Sequence, residues 1–244
     1  ASEVDNFSIV VLELHGDHRR IVHCWTTNRQ QHKDKLKSKL VDEDDFYSYC
    51  AKKIRQLMKV FPCAEIALDA QGGGIDDKSG LHILKLCQFA RADWLAEANH
   101  GLRKDFEDKV MLLPFFDSAS IGLSIEEDKV AGRKYDTLED CVMEIEELKD
   151  ELSMIVMTQT STGRERWDTP EVKVAAGKKS RLRKDRYSSL IMANMSARAL
   201  LVEKEIIEYG AIGGFAVSEG EKKPNNDKMF YGPSWFTEKM QNIY

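Results

Sequence analysis

Two apolar runs near the start of the chain constrain its fold more than any other feature. The first run, Phe7–Leu14, and the second, Ile21–Thr27, are rich in β-branched residues, and the residues between them read His15-Gly16-Asp17-His18. β-branched side chains favour extended backbone, while Gly and Asp favour tight turns. The sequence therefore predicts a β-hairpin over residues 7–27.

The segments after this hairpin alternate between helical and strand-like patterns. Asp42–Val60 places apolar residues at helical spacing, whereas Cys63–Leu68 is a short apolar run that an acid and three glycines follow. We also expect a helix over Gly80–Ala90 and a buried strand over Lys109–Pro114. The order strand, strand, helix, strand, helix, strand is typical of an α/β protein.

The second half of the chain predicts two more helices and a second hairpin. Thr137–Leu152 has apolar residues on one helical face and acids on the other, the pattern of a packed helix with a solvated face. Met154–Gln159 and Arg164–Trp167 flank a Ser-Thr-Gly turn and predict the hairpin. Asp185–Glu203 is apolar on nearly all sides, which predicts a deeply buried helix.

Length and composition fit one folded domain followed by a tail. At 244 residues and 42% hydrophobic content the chain can bury a full core. We expect this core over residues 1–205 and a C-terminal extension or tail over 206–244. The five cysteines form no Cys-x-x-Cys pair, and no apolar run reaches the roughly 20 residues of a membrane span. We therefore expect a soluble, intracellular protein with reduced thiols.

The net charge of -5 conceals two segments of opposite sign. Residues 136–151 contain eight acids and one base, whereas residues 171–186 contain seven bases and two acids. The distribution of charge is therefore more informative than its sum. It favours a local contact with a polyanion over a general coating of nucleic acid.

Asp185 lies inside the basic segment, at the start of the predicted buried helix. A carboxylate there can hold a cation while its basic neighbours hold phosphates. The alternative for Asp185 is a helix-capping or first-turn acid, and the alternative for the basic run is a loop without a ligand. Arg183 and Arg186 could also pair with the acids when no ligand is bound. The predicted phosphate-binding residues are Lys178, Lys179, Arg181, Arg183, Lys184 and Arg186.

A second acid, Asp69, follows a predicted buried strand. Strand ends and helix starts meet at one rim of an α/β sheet, so we expect Asp69 and Asp185 to lie on the same rim. Two carboxylates on rigid elements can share divalent ions and so promote phosphodiester hydrolysis. The alternative for Asp69 is a turn-forming acid before glycines.

Two motifs resemble the nuclease domain of the large terminase subunit of tailed bacteriophages. They are Leu68-Asp69-Ala70-Gln71-Gly72-Gly73-Gly74 and Lys179-Ser180-Arg181-Leu182-Arg183-Lys184-Asp185-Arg186-Tyr187-Ser188-Ser189-Leu190, and the resemblance extends from Ala1 to about Leu200. It implies an RNase H-like fold, with a central mixed β-sheet flanked by helices. The second hairpin and the C-terminal extension would be additions to that core.

The resemblance implies a site of three acids that binds two Mg²⁺ or Mn²⁺ ions. Asp69 matches the second acid and Asp185 the third. The first residues resemble the stretch just after the first acid, so we expect that acid either upstream of residue 1 or replaced by a nearby one. Asp5 is the better substitute and Glu3 the second, against the alternative that Asp5 is only a turn acid.

The resemblance also implies a function and partners. It implies an endonuclease that cuts concatemeric viral DNA during genome packaging, with little sequence specificity, in the cytoplasm of an infected bacterial host. The implied partners are double-stranded DNA, the portal protein, the small terminase subunit and an ATPase domain of the same polypeptide. No Gly-x-x-x-x-Gly-Lys-Ser/Thr sequence occurs in these 244 residues, so we expect no ATP hydrolysis from them.

Two other classes of function remain open. A different RNase H-like enzyme, such as a junction resolvase or an integrase, would use similar acids on branched or specific DNA. A non-catalytic DNA-gripping or portal-docking module would bind without cutting. Zinc chemistry and serine hydrolase chemistry have no support, because the histidines are scattered and no Gly-x-Ser-x-Gly sequence occurs.

Overall fold

The computed structural model describes residues 5–69, 84–87, 91–173 and 179–210, and these form a mixed α/β protein. Its strands are β1 Asn6–His15, β2 His18–Asn28, β3 Ile66–Asp69, β4 Leu84–Cys87, β5 Met111–Leu112, β6 Val156–Gln159, β7 Glu165–Asp168, β8 Glu171–Lys173 and β9 Lys179–Arg181. Its helices are α1 Arg29–Lys37, α2 Phe46–Val60, α3 Ala92–Glu107, α4 Ser118–Val130, α5 Leu138–Met154 and α6 Asp185–Gly210. The α/β class expected from the sequence is confirmed.

The first hairpin is confirmed as the antiparallel pair β1 and β2. Asn6 lies opposite Asn28 and His15 opposite His18, and the register shifts once, between Val11 and Leu12. The turn contains Gly16 at a φ of +58°, a conformation that glycine adopts without a Cβ clash. The hairpin therefore forms a long two-stranded platform for the helices.

The strands of the described residues form separate sheets. β2 also pairs in parallel with β5, which gives the three-stranded order β1-β2-β5, whereas β3 and β4 form a parallel pair of their own. β6 with β7 and β8 with β9 are antiparallel hairpins, so the predicted second hairpin is confirmed. The helix expected over Gly80–Ala90 is wrong where it is described, because Leu84–Cys87 is a strand in register with Ile66–Asp69.

The hydrophobic core lies on both faces of β1. Phe7, Ile9 and Val11 pack into clusters that include α2, whereas Val10 and Leu12 pack against the cluster that includes α3, α5 and α6. Successive side chains of a strand point to opposite faces, which explains this division. The sheet is thus covered by helices on both sides.

The last helix, α6, continues to Gly210 and so passes the expected domain boundary at residue 205. Residues 211–244 lie outside the described residues, as do residues 70–83, which include the Gly-rich segment after Asp69. Within the described part of the chain, no helix combines the length and apolar character needed to cross a membrane.

Candidate functional site

Asp69 and Asp185 line one cavity of about 470 Å³. Its walls are β1, the stretch of chain that ends in β3, and the facing sides of α2 and α6. Most of the lining is apolar, and its carboxylates belong to Glu65, Asp69 and Asp185. The two acids that sequence reasoning singled out therefore share a cavity.

The directions of β1 and β3 place both acids on the same rim. Cys63, ahead of β3, packs in a cluster with Ile9 and Val11, whereas Leu68 at its end belongs to the cluster that Phe7 joins. β3 therefore runs opposite to β1, and its last residue, Asp69, lies beside the beginning of β1. Asp185 is at that beginning too, because its Oδ2 accepts a hydrogen bond of 3.0 Å from Asn6 Nδ2.

A short chain of amides orients the Asp185 carboxylate. Asn28 Nδ2 donates to Asn6 Oδ1 at 3.3 Å, which fixes the rotation of the amide that donates to Asp185. Asn6 and Asn28 face each other across the hairpin, so the β1–β2 register brings them together. Arg183 Nη1 lies 3.9 Å from Asp185 Oδ2, at the outer limit of an ion pair.

Burial raises the pKa of Asp185 above the usual range of a carboxyl, and the negative charge of Asp5 acts in the same direction. The hydrogen bond from Asn6 and the charges of Arg183 and Arg186 oppose this rise without cancelling it. Asp185 is therefore a carboxylate whose negative charge is incompletely compensated, an arrangement that a bound cation would stabilise.

The start of α6 is held in place by the acidic helix α5. Glu151 Oε2 accepts a 2.8 Å hydrogen bond from the backbone N–H of Tyr187, and Glu151 Oε1 accepts one of 2.9 Å from Arg186 Nη1. Arg186 Nε also donates to Glu144 at 2.7 Å. These contacts fix the helix turn that carries Asp185. The sequence did not indicate a role for Glu151, because this residue belongs to a run of acids that was predicted to face solvent.

The predicted phosphate-binding residues have different surroundings. Arg183 is 45% exposed, whereas Lys184 donates to the Trp167 carbonyl and pairs with Asp168. Arg186 is only 13% exposed and is enclosed by its glutamate partners, so its position differs from that of a residue on a phosphate-binding surface. Lys179 and Arg181 lie in β9, and Lys178 lies outside the described residues.

Asp5, the expected substitute for the first acid, is exposed and close enough to Asp185 to raise the pKa of that carboxyl. Glu3 lies outside the described residues. Over residues 5–69, 84–87, 91–173 and 179–210, no three His, Cys, Asp or Glu side chains are grouped as a metal site. Carboxylates such as those of Asp69 and Asp185 are the kind of oxygen ligand that Mg²⁺ and Mn²⁺ prefer.

Comparison with protein families, with curated proteins and with solved structures found no match to this chain. A function must therefore be argued from the residues of the site, their geometry and their motifs.

Proposed function

We propose that this chain is a divalent-metal-dependent DNA endonuclease that hydrolyses phosphodiester bonds with little sequence specificity. One observation carries the proposal: Asp69 and Asp185, on two different elements, line the same rim of one cavity. Basic residues adjoin that rim, with Arg183 exposed two residues before Asp185. Paired carboxylates beside exposed cations match the needs of a metal ion and a phosphate backbone.

The fold proposed for this enzyme is RNase H-like. Four described features support this fold. They are the long hairpin, the helices that follow it, the strand β3 that ends in Asp69, and the last core helix, which begins with Asp185. The described strands form one three-stranded sheet and three two-stranded sheets, in place of the single central sheet that was expected. The motifs resemble terminase nucleases, so the proposed task is the cutting of concatemeric viral DNA.

The proposed roles of the residues follow from their surroundings. Asp69 and Asp185 would hold Mg²⁺ or Mn²⁺, with Asp5 as the nearest candidate for a third ligand. When bound, the ions supply Lewis-acid stabilisation of the charge that develops on phosphate oxygens. Asn6 orients Asp185, and Arg183 contacts phosphate. Arg186 holds the start of α6, and we do not place it on DNA.

The proposed partners are those of a terminase nuclease: double-stranded DNA, the portal protein, the small subunit and an ATPase domain, in the cytoplasm of an infected bacterium. Docking to the portal protein is a separate proposal from DNA cleavage. DNA binding without cleavage remains the main alternative to the enzymatic proposal.

Cleavage of supercoiled plasmid in Mn²⁺ tests the enzymatic proposal. We expect nicked and linear products from the wild type, and a loss of at least about a hundredfold in rate for Asp69→Asn and Asp185→Asn, because each removes a charged metal ligand. Asp93→Asn is the matched control, since Asp93 is also a first-turn acid, on α3, but lies outside the cavity.

Equal cleavage by the wild type and Asp185→Asn would contradict the site assignment. DNA binding that persists in EDTA, with no cleavage in Mn²⁺, would favour the non-catalytic module. Preferential cutting of branched over linear DNA would favour a junction resolvase instead.

The salt dependence of DNA binding tests the role of Arg183. We expect Arg183→Gln to weaken binding to unrelated duplexes equally and to reduce the slope of log K against log[salt] by about 1. Arg103→Gln is the control, because Arg103 is a similarly exposed arginine that pairs with Glu107 on α3. An unchanged slope for Arg183→Gln would remove this residue from the interface.

A further inference from the structure

Two of the six histidines, His15 and His18, lie opposite each other at the closed end of the first hairpin. They form the last pair of the β1–β2 register, and only Gly16 and Asp17 separate them along the chain. Gly16 has a φ of +58° whereas the φ of Asp17 is negative, a combination typical of a type II′ turn. The histidines look scattered in the sequence, so only the pairing of the strands makes these two neighbours.

The spacing of this pair suits the binding of one metal ion by two imidazoles. Directly paired residues of an antiparallel ladder turn their side chains to the same face, with Cβ atoms about 4.5–5.5 Å apart. Two nitrogen atoms on one tetrahedral ion lie about 3.3 Å apart, because each Zn–N bond is about 2.0–2.1 Å long. Rotation of the two rings about their side-chain bonds brings one nitrogen of each to this separation.

The pair is accessible to solvent, but its backbone is anchored. His15 is exposed and His18 is half-buried. Directly after His18, the backbone N–H of Arg19 donates a 2.8 Å hydrogen bond to the Val110 carbonyl, where β5 pairs with β2. The Arg19 guanidinium also pairs with Asp105 of α3 at 2.7 Å. Ligands on anchored strands are held more precisely than ligands on a free loop.

The charges beside the pair favour a cation. The preceding pair on the same face is Glu13 with Arg20, and the two side chains form an ion pair of 2.7 Å. The charge of Arg20 is therefore balanced by a carboxylate. Asp17, exposed in the turn, adds a negative charge next to the histidines.

We propose that His15 and His18 together bind one divalent transition-metal ion of the Zn²⁺ type, with water in its remaining coordination positions. Imidazole nitrogen suits Zn²⁺, Ni²⁺ and Cu²⁺, whereas Mg²⁺ prefers oxygen ligands. Because the protein supplies two ligands, the site is open and lies at the surface of the hairpin. It differs in this respect from a closed structural zinc centre, in which four protein ligands surround the ion.

This binding goes beyond the proposed nuclease function. Asp185 contacts Asn6 at one end of β1, whereas His15 is at the other end. At about 3.4 Å per residue, these two ends of the strand are about 30 Å apart. The two sites also differ in ligand type, so Zn²⁺ binding at the hairpin succeeds or fails independently of plasmid cleavage.

Calorimetric titration of the 244-residue chain with Zn²⁺, without an affinity tag, tests this proposal. Excess Mg²⁺ is present to compete for the carboxylates. We expect one Zn²⁺ to bind per chain, and His15→Gln and His18→Gln each to weaken binding by at least about tenfold, because each removes one of two nitrogen ligands. His100→Gln is the matched control, since His100 is an exposed histidine that pairs with Glu165, and it should leave the affinity unchanged.

A double variant separates the register of the histidines from their number. Leu14→His combined with His15→Gln keeps two histidines but moves one to the opposite face of β1, at a position that is already partly exposed. We expect it to bind Zn²⁺ as weakly as His15→Gln alone. In the wild type, Zn²⁺ should shift the backbone amide NMR signals of residues 14–19 most strongly.

Four results would each overturn the proposal. They are the absence of Zn²⁺ binding, wild-type affinity in either single variant of the pair, an equal loss in His100→Gln, and wild-type affinity in the double variant. Amide shifts centred on Asp69 and Asp185 would assign the ion to the carboxylates and would also overturn it.

Discussion

Replacement of Glu151 by Gln tests whether the acidic helix α5 holds the start of α6. The Glu151 side chain is 5% exposed and accepts hydrogen bonds from Arg186 Nη1 and the Tyr187 N–H. A Gln side chain can keep one acceptor toward Tyr187, but its amide NH₂ then faces the Arg186 guanidinium. The variant loses one hydrogen bond to a charged group, which is worth about 1.5–3 kcal/mol.

Two effects set the size of the expected loss. Burial raises the pKa of Glu151 in spite of the bonds from Tyr187 and Arg186, so removal of the charge recovers part of the desolvation penalty. Arg186 also keeps its 2.7 Å bond to Glu144. We therefore expect a loss of about 2 kcal/mol in the free energy of unfolding, toward the lower end of that range. For a chain of this size the midpoint of thermal unfolding would fall by about 4–8 °C.

Glu147→Gln is the matched control for this measurement. Glu147 lies on the same helix and faces the same Arg186, but at 4.0 Å and with 58% of its side chain exposed. An exposed pair of this kind contributes about 0–1 kcal/mol, so the control should shift the midpoint by only a few degrees at most. Calorimetry of both variants, with hydrogen exchange at Tyr187, measures the difference. Equal midpoints for the two variants would refute the role given to Glu151.

Two further predictions concern titratable groups. Burial raises the pKa of Asp185, so the folded state binds a proton more tightly than the unfolded state, and stability falls as pH rises through this raised pKa. Without metal at pH 7 we expect Asp185→Asn to unfold at a higher temperature than the wild type. Asp93→Asn is the control for a first-turn acid. A lower unfolding midpoint for Asp185→Asn than for the wild type would contradict the prediction. Burial, helped by the charge of Lys53, lowers the pKa of His23 to about 3, and its buried Nε2 has no hydrogen-bond partner among the described residues. The unfolded state therefore binds the extra proton between pH 6.5 and 3, and stability should fall with pH in that interval by up to about 1.4 kcal/mol per pH unit. His23→Gln should flatten that dependence in urea titrations at pH 7, 5.5 and 4.5, and an unchanged slope would assign it to other groups.

Local patterns predicted several elements of the fold. The hairpin, the helix α5 with its capping Thr137 and the helix that begins at Asp185 are all where periodicity and turn residues indicate them. These elements have strong local signals, which tertiary contacts reinforce. The strand Leu84–Cys87 was predicted as part of a helix. A short apolar segment is compatible with both the helical and the strand periodicity, and only its pairing with β3 decides between them.

The candidate site was predicted in part. Asp69 and Asp185 were both chosen from their places at a strand end and a helix start, and they do line one cavity. Asn6 and Asn28 were not predicted as parts of the site. No local pattern marks an amide that becomes important only when two strands pair in one register.

The sequence by itself determined the hairpin, the helices α2, α5 and α6, and the presence of two oppositely charged segments. Only the tertiary structure decided how these segments meet. The packing of α5 beside α6 turns Glu144 and Glu151 toward Arg186, so part of each charged segment neutralises the other instead of facing solvent. A helical pattern in the sequence predicts which face of the helix a residue occupies. It does not state which charge lies opposite, because that depends on residues 35 positions or more away in the chain.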